Sequence, residues 1–208
     1  MLDISLPIPA LAQVLMRLLG AAIASGILGW AAAWLAGRLG DPGPGYDGRN
    51  SPSPFVHVDL VALLHAVFYL VPWIRPLDID RSAIKAGWLG RLSLVLGSCA
   101  VLAAASALGL GLRRVAIGLM HGTAGLTTST VLTAFSDIAI VAALFNLLPA
   151  PPFLGALLLP LSEKGAKTVA KPLVFGLACA LFIALSLVGV TGRIVSAVLP
   201  TWRSLLGY

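Results

Sequence analysis

Charged side chains are scarce in this chain. They make up 11% of its 208 residues, against 59% hydrophobic residues, and the mean hydropathy is +0.98. A water-soluble domain needs a polar shell, and there is too little polar surface here to build one. Cysteine is almost missing as well. Cys99 and Cys179 both lie in apolar stretches and read as small buried residues, so neither a disulfide framework nor a cysteine metal site organises the chain. There is no Gly-rich phosphate loop, no haem or quinone signature, no internal repeat and no low-complexity tract. No basic stripe with interleaved aromatics appears either. The net charge of +6 therefore fits Lys and Arg placed beside anionic lipid headgroups, and nucleic acid is not an expected partner. A secretory signal is also wanting: "MLDISLPIPA" opens with an acid and has no basic region before its apolar part, so this stretch is expected to belong to the mature protein.

What the chain does have is long apolar runs. Crossing a bilayer as a helix takes roughly 20 such residues. The pattern predicts an all-α polytopic membrane protein, a single transmembrane domain over residues 1–208, with about five spans. These are expected near Leu11–Leu39, Val58–Ile74, Leu89–Leu112, Thr130–Leu161 and Pro172–Leu199. The first is followed by the turn-rich loop "GDPGPGYDGRNSPSP", the third is ended by Arg113 and Arg114, and "HGTAGLTTST" reads as a linker into the fourth. Five alternating spans would put Arg75, Arg81, Lys85, Arg91, Lys164, Lys167 and Lys171 on one side. Arg38, Arg49, Arg113, Arg114, Arg193 and Arg203 would fall on the other. So even a split gives no orientation under the positive-inside rule. Arg17 reads either as snorkelling from the first span or as ending an interfacial helix.

The fourth run contains "NLLPAPPFLG", Asn146 to Gly155. Proline removes an amide donor and clashes with the preceding turn, so Pro149, Pro151 and Pro152 must unwind the helix. Apolar sequence continues beyond them, which predicts a break inside the membrane that faces the bundle, where freed carbonyls can be satisfied. The Asn146 amide can donate to such carbonyls.

These residues resemble the site-2 protease family of intramembrane zinc metalloproteases. "FNLLPAPPFLGALLL" is similar to the family's N-L-L-P-x-P-P-L-D-G-G. "GRLGDPGPGYDGRNSPSPFVHVDLVALL" is similar to its L-G-D-P-T-A…G-R-L-T-L-N-P-x-x-H-I-D-P-L-G stretch, with Gly40, Asp41, Pro42, Gly48, Arg49, Pro54, His57 and Asp59 in place. "WIRPLDIDRSAIK" is similar to W-A-K-P-V-P-V-N-P-x-x-x-R through Trp73, Arg75, Pro76, Ile79 and Lys85. The likeness covers about Leu28 to Ala156 and implies a site-2-protease-like core with a short extended hairpin after the first span.

Family members carry HExxH on the first helix, which sets two zinc-binding histidines one turn apart beside a general base. The metal acidifies its bound water for attack on an amide. By spacing from Gly40-Asp41, the histidine positions here hold Leu28 and Ala32, the base position holds Gly29, and the Asp of the proline motif is Leu154. None of these side chains binds zinc or moves a proton. No catalytic residue, metal or cofactor is expected. The three histidines, His57, His65 and His121, share no i, i+4 spacing. His57 and Asp59 are expected to cap and brace the hairpin.

One further residue stands out. Asp137 lies in the fourth run, where a carboxylate is a candidate polar site. It reads equally as a headgroup-level residue served by Ser136, Thr133 or His121. The resemblance implies a catalytically inactive, site-2-protease-like pseudoenzyme. Its expected role is a structural, assembly or accessory subunit beside other integral membrane subunits and lipid, in a respiratory, photosynthetic or transport complex. Ala, Gly, Leu and Arg usage suggests a bacterial inner membrane. Three other readings stay open: a pseudoprotease that binds transmembrane segments, an active intramembrane metalloprotease, and a small transporter or proton-conducting subunit.

Overall fold

A computed structural model describes residues 9–169 and 171–208; the opening stretch read above as part of the mature protein falls, but for two residues, outside them. Three helices are long and apolar enough to cross a membrane. They are α1 (Leu11–Leu39), and two that we label in chain order α5 (Gly87–Leu119) and α6 (Gly122–Phe145). Between α1 and α5 lie the short α2 (Gly43–Tyr46), α3 (Pro54–His57) and α4 (Leu60–Tyr69). After α6 come a 3-10 turn (Leu154–Leu158), α7 (Glu163–Val169), α8 (Pro172–Leu187) and α9 (Val190–Leu205). Helices α8 and α9 meet at 72° and together pass as one broken span. The chain is thus a helical membrane protein, and no strand occurs among the described residues.

Four of the five expected spans are redrawn. The second, Val58–Ile74, is a 10-residue helix, about 15 Å long and half a bilayer core. Leu70 turns with φ 62°, and the chain returns extended until Ile74 pairs antiparallel with Val58. Entry and exit therefore lie side by side, as in a re-entrant hairpin. The third runs past Arg113 and Arg114 to Leu119, and the supposed linker after it is already helical from Gly122. Ser129, Thr130 and Thr133 turn their hydroxyls back onto carbonyls of their own helix, which satisfies them in an apolar setting. The fourth ends at Phe145. The fifth bends at Gly189, whose φ of 83° is left-handed.

The packing sets which ends lie together. The Lys85 amide bonds the Leu39 carbonyl at 2.7 Å, so the end of α1 and the start of α5 share one side, the Gly40 end. Helix α6 then runs back parallel to α1. A methyl on Gly20 would stand 3.1 Å from the Phe135 Cα, which fixes their register. Phe145, ten residues on, lies about 15 Å further along, whereas α1 continues for about 29 Å. So α6 stops roughly half way, at the proline run. Gly26 and Gly29 open a second close approach. Pro52 and Pro54 lie against Gly26, and the His57 ring lies against Gly29. The hairpin after α1 thus descends along that helix, passing its middle at His57 and reaching Arg17, which donates to the Val67 carbonyl at the end of α4.

Candidate functional site

The proline run is held by Asn146. Its side chain is fully buried. The amide Nδ2 donates to the Ala142 carbonyl at 2.9 Å, and Oδ1 accepts from the Leu154 amide at 3.0 Å. The Asn146 carbonyl accepts from Gly155 N at 2.8 Å. One residue therefore satisfies the helix end and closes the loop of residues 147–153, which contains Pro149, Pro151 and Pro152. The Pro151–Pro152 peptide is cis.

The loop delivers Leu154 to the bundle centre. Leu154, Leu28 and Ala32 belong to one buried apolar cluster with Ala24, Ala142 and Leu94. Leu28 and Ala32 lie one turn apart on α1 and are 1% and 0% exposed. An apolar cluster of this kind gives a cation no ligand and water no partner. Beside it, Gly29 is covered by the imidazole of His57, which is itself fully buried. His57 Nε2 donates to the Ser51 carbonyl at 2.8 Å, while Nδ1 has no hydrogen-bond partner among the described residues. Burial pushes this imidazole below its ordinary pKa, and the Ser51 carbonyl offsets only part of that.

The other motif residues brace the hairpin. Asp41 accepts from Gly43 N at 2.9 Å and from Asp80 N at 2.8 Å, which ties the loop after α1 to the segment before α5. Arg49 donates to the carbonyls of Val56 and Pro76. Asp59 caps α4, accepting from Val61 N and Ala62 N at 2.9 and 3.0 Å. Arg81 donates to the Ala156 and Leu159 carbonyls at 2.8 and 3.1 Å, which fastens the 3-10 turn to the same segment. Between them opens a cavity of about 410 Å³ walled by Ile74, residues 76–82, residues 151–154, Ala156, Leu157 and Phe175. Asp78, Asp80 and Arg81 line it beside apolar neighbours.

Asp137 lies apart from this centre. Its carboxylate receives Arg203 of α9, Nη2 at 2.5 Å and Nε at 3.2 Å. The partner is thus Arg203, a loop cation by sequence, and no hydrogen bond joins Asp137 to Ser136, Thr133 or His121. Next to Arg203, Trp202 Nε1 donates to Ser106 Oγ at 3.0 Å. Together they pin α9 onto α5 and α6.

A buried polar chain was also missed. His65 Nδ1 donates to the Val71 carbonyl at 2.8 Å, Nε2 meets Ser186 Oγ at 2.9 Å, and Ser186 meets Thr191 at 2.7 Å. It joins the re-entrant helix to the α8–α9 corner across 121 residues of sequence. Among the described residues no three of His, Cys, Asp and Glu come together as a metal-ligand set. No family model, curated protein or solved structure matches this chain, so a functional reading rests on its own residues and their placement.

Proposed function

We propose that this chain is a degenerate relative of the site-2 proteases, inactive as a peptidase, that serves as a structural, assembly or accessory subunit of a larger bacterial inner-membrane complex. One observation carries the reading: Leu28, Ala32 and Leu154, the positions of the three family zinc ligands, are joined in a single buried apolar cluster. The proline loop and its Asn146 staple remain, and they present leucine where the family presents a carboxylate. The outer surface suits a partner in the membrane. Leu173, Leu177, Leu181 and Leu185 form an exposed row on α8, and Leu11, Leu15 and Leu19 another on α1. Respiratory, photosynthetic and transport assemblies are the natural hosts.

Purification in mild detergent tests this, with metal analysis and identification of the accompanying chains. Stoichiometric membrane partners without zinc are expected. A solitary, zinc-loaded chain whose peptidase activity is lost with chelator would overturn the reading. A second role is favoured by the cavity beside the proline loop: holding a partner's transmembrane segment without cutting it. The transporter reading is the weaker, because Arg203 already neutralises the Asp137 carboxylate.

A further inference from the structure

A second cleft lies at the opposite end of the bundle. It measures about 430 Å³ and is bounded by Arg17 of α1, Phe68 to Leu70 at the end of α4, the α8–α9 corner, and Arg193 in the first turn of α9. Its depth can be placed. Residues 18–37 of α1 carry no charge between Arg17 and Arg38, and residues 92–112 of α5 carry none between Arg91 and Arg113. Each stretch rises about 30 Å, the thickness of a hydrocarbon core. Arg17 and Arg113 therefore stand at headgroup level, and the cleft opens there.

The cleft is built for an anion. Arg193 is exposed and makes no ion pair among the described residues. Arg17 spends one N–H on the Val67 carbonyl at 2.5 Å, and among the described residues its other donors take no hydrogen-bond acceptor. Asp137, whose field reaches Arg17, is held by Arg203. Among the described residues no carboxylate lines the cleft, so none of them would receive the ammonium group of a zwitterionic lipid. Gly192, in the first turn of α9, also lines the cleft, and its amide has no acceptor further back in the helix. Phe68, Tyr69, Leu70 and Val195 give the cleft an apolar flank.

We propose that this cleft binds the phosphate group of an anionic phospholipid, clamped between the guanidinium groups of Arg17 and Arg193. Such a lipid would bridge α1 to α9 and fix the 72° corner from outside. Guanidinium forks match phosphate oxygens in charge and geometry. This inference does not depend on the protease-like reading.

The test uses the full chain, delipidated in mild detergent. Thermal unfolding and native mass spectrometry are followed with phosphatidylglycerol, with phosphatidylcholine of the same acyl chains, and with inorganic phosphate. Phosphatidylglycerol is expected to raise the melting temperature by several degrees and to remain as one bound lipid. Arg193→Gln is expected to weaken that binding about ten-fold or more. Arg38→Gln, at the other end, should leave it unchanged. Arg17 also caps α4, so Arg193 carries the decision. Equal stabilisation by both lipids, an undiminished response in Arg193→Gln, or full protection by inorganic phosphate alone would each overturn the assignment.

Discussion

The imidazole of His57 rests on the Cα of Gly29, in the space that any side chain at position 29 would need. Both residues are fixed from elsewhere, Gly29 by its helix and His57 by its bond to the Ser51 carbonyl. Gly29→Ala should therefore be destabilising by about 1–3 kcal/mol, the usual cost of overpacking, and Gly29→Glu by more. Gly37→Ala on the same helix meets open space and should be neutral or stabilising by up to about 1 kcal/mol. Unfolding in mild detergent reads both. Equal melting temperatures for Gly29→Ala and the parent chain would show that the ring does not sit there.

Asn146 carries two buried side-chain hydrogen bonds. Asn146→Leu strands the Leu154 amide, while the Ala142 carbonyl keeps the backbone N–H of residue 146. An orphaned buried group costs about 1–3 kcal/mol. Asn146→Asp keeps the acceptor for Leu154 N but loses the donor and buries a charge, so it should rescue little. Proteolysis within residues 147–153 should rise in step with lost stability, since the loop would no longer be stapled.

For Asp137 and Arg203 the expected signature is coupling. Breaking a fully buried pair costs about 3–5 kcal/mol. Arg203 keeps 40% of its side chain exposed, so Arg203→Gln should fall below that range. Adding Asp137→Asn to Arg203→Gln should recover part of the loss, because the stranded carboxylate disappears. A double-mutant cycle on melting temperature reads this. Strict additivity would mean that the two residues do not interact.

The re-entrant hairpin makes a topological prediction. With Val58 paired to Ile74, the loops before and after α4 share one side. Tyr46→Cys and Lys85→Cys should then react with a membrane-impermeant thiol reagent from the same face, where five alternating spans would separate them. Cys99 and Cys179 are buried and should stay silent. Regrouping also changes the charge count. Arg38, Arg49, Arg75, Arg81, Lys85, Arg91, Lys164, Lys167 and Lys171 gather at the Gly40 end, and the other five of the 14 cations at the opposite end. The positive-inside rule then predicts the Gly40 end on the cytoplasmic side of the membrane, and labelling from that face is the expected result.

Legibility in the sequence followed the range of the interactions. Helix α1 is read to its boundaries because its signal is one unbroken apolar run with Gly40 behind it. The halt at Asn146 is equally readable, since proline acts locally. Residues 58–74 mislead because a hydropathy window records apolar content and not direction; the reversal at Leu70 depends on pairing 16 residues apart. The bend at Gly189 had a cue, a glycine inside an apolar run, which competing hydrophobicity hides. The links from His65 to Ser186 and from Asp137 to Arg203 left no local trace. Each joins residues at least 66 positions apart, and only the packed helices bring them together.

The early ending of α6 gives the molecule two unlike storeys. In the leaflet nearer Leu11, α1, α5 and α6 stand side by side as regular helices. In the other leaflet one of them gives way to folded-back main chain whose polar groups are retained by Asn146 and Arg81. A neighbouring helix laid along α1 and α6 would therefore meet smooth ridges over half its length and an irregular relief over the rest. Binding that needs the second half would be selective for shape, and binding that needs only the first would be permissive.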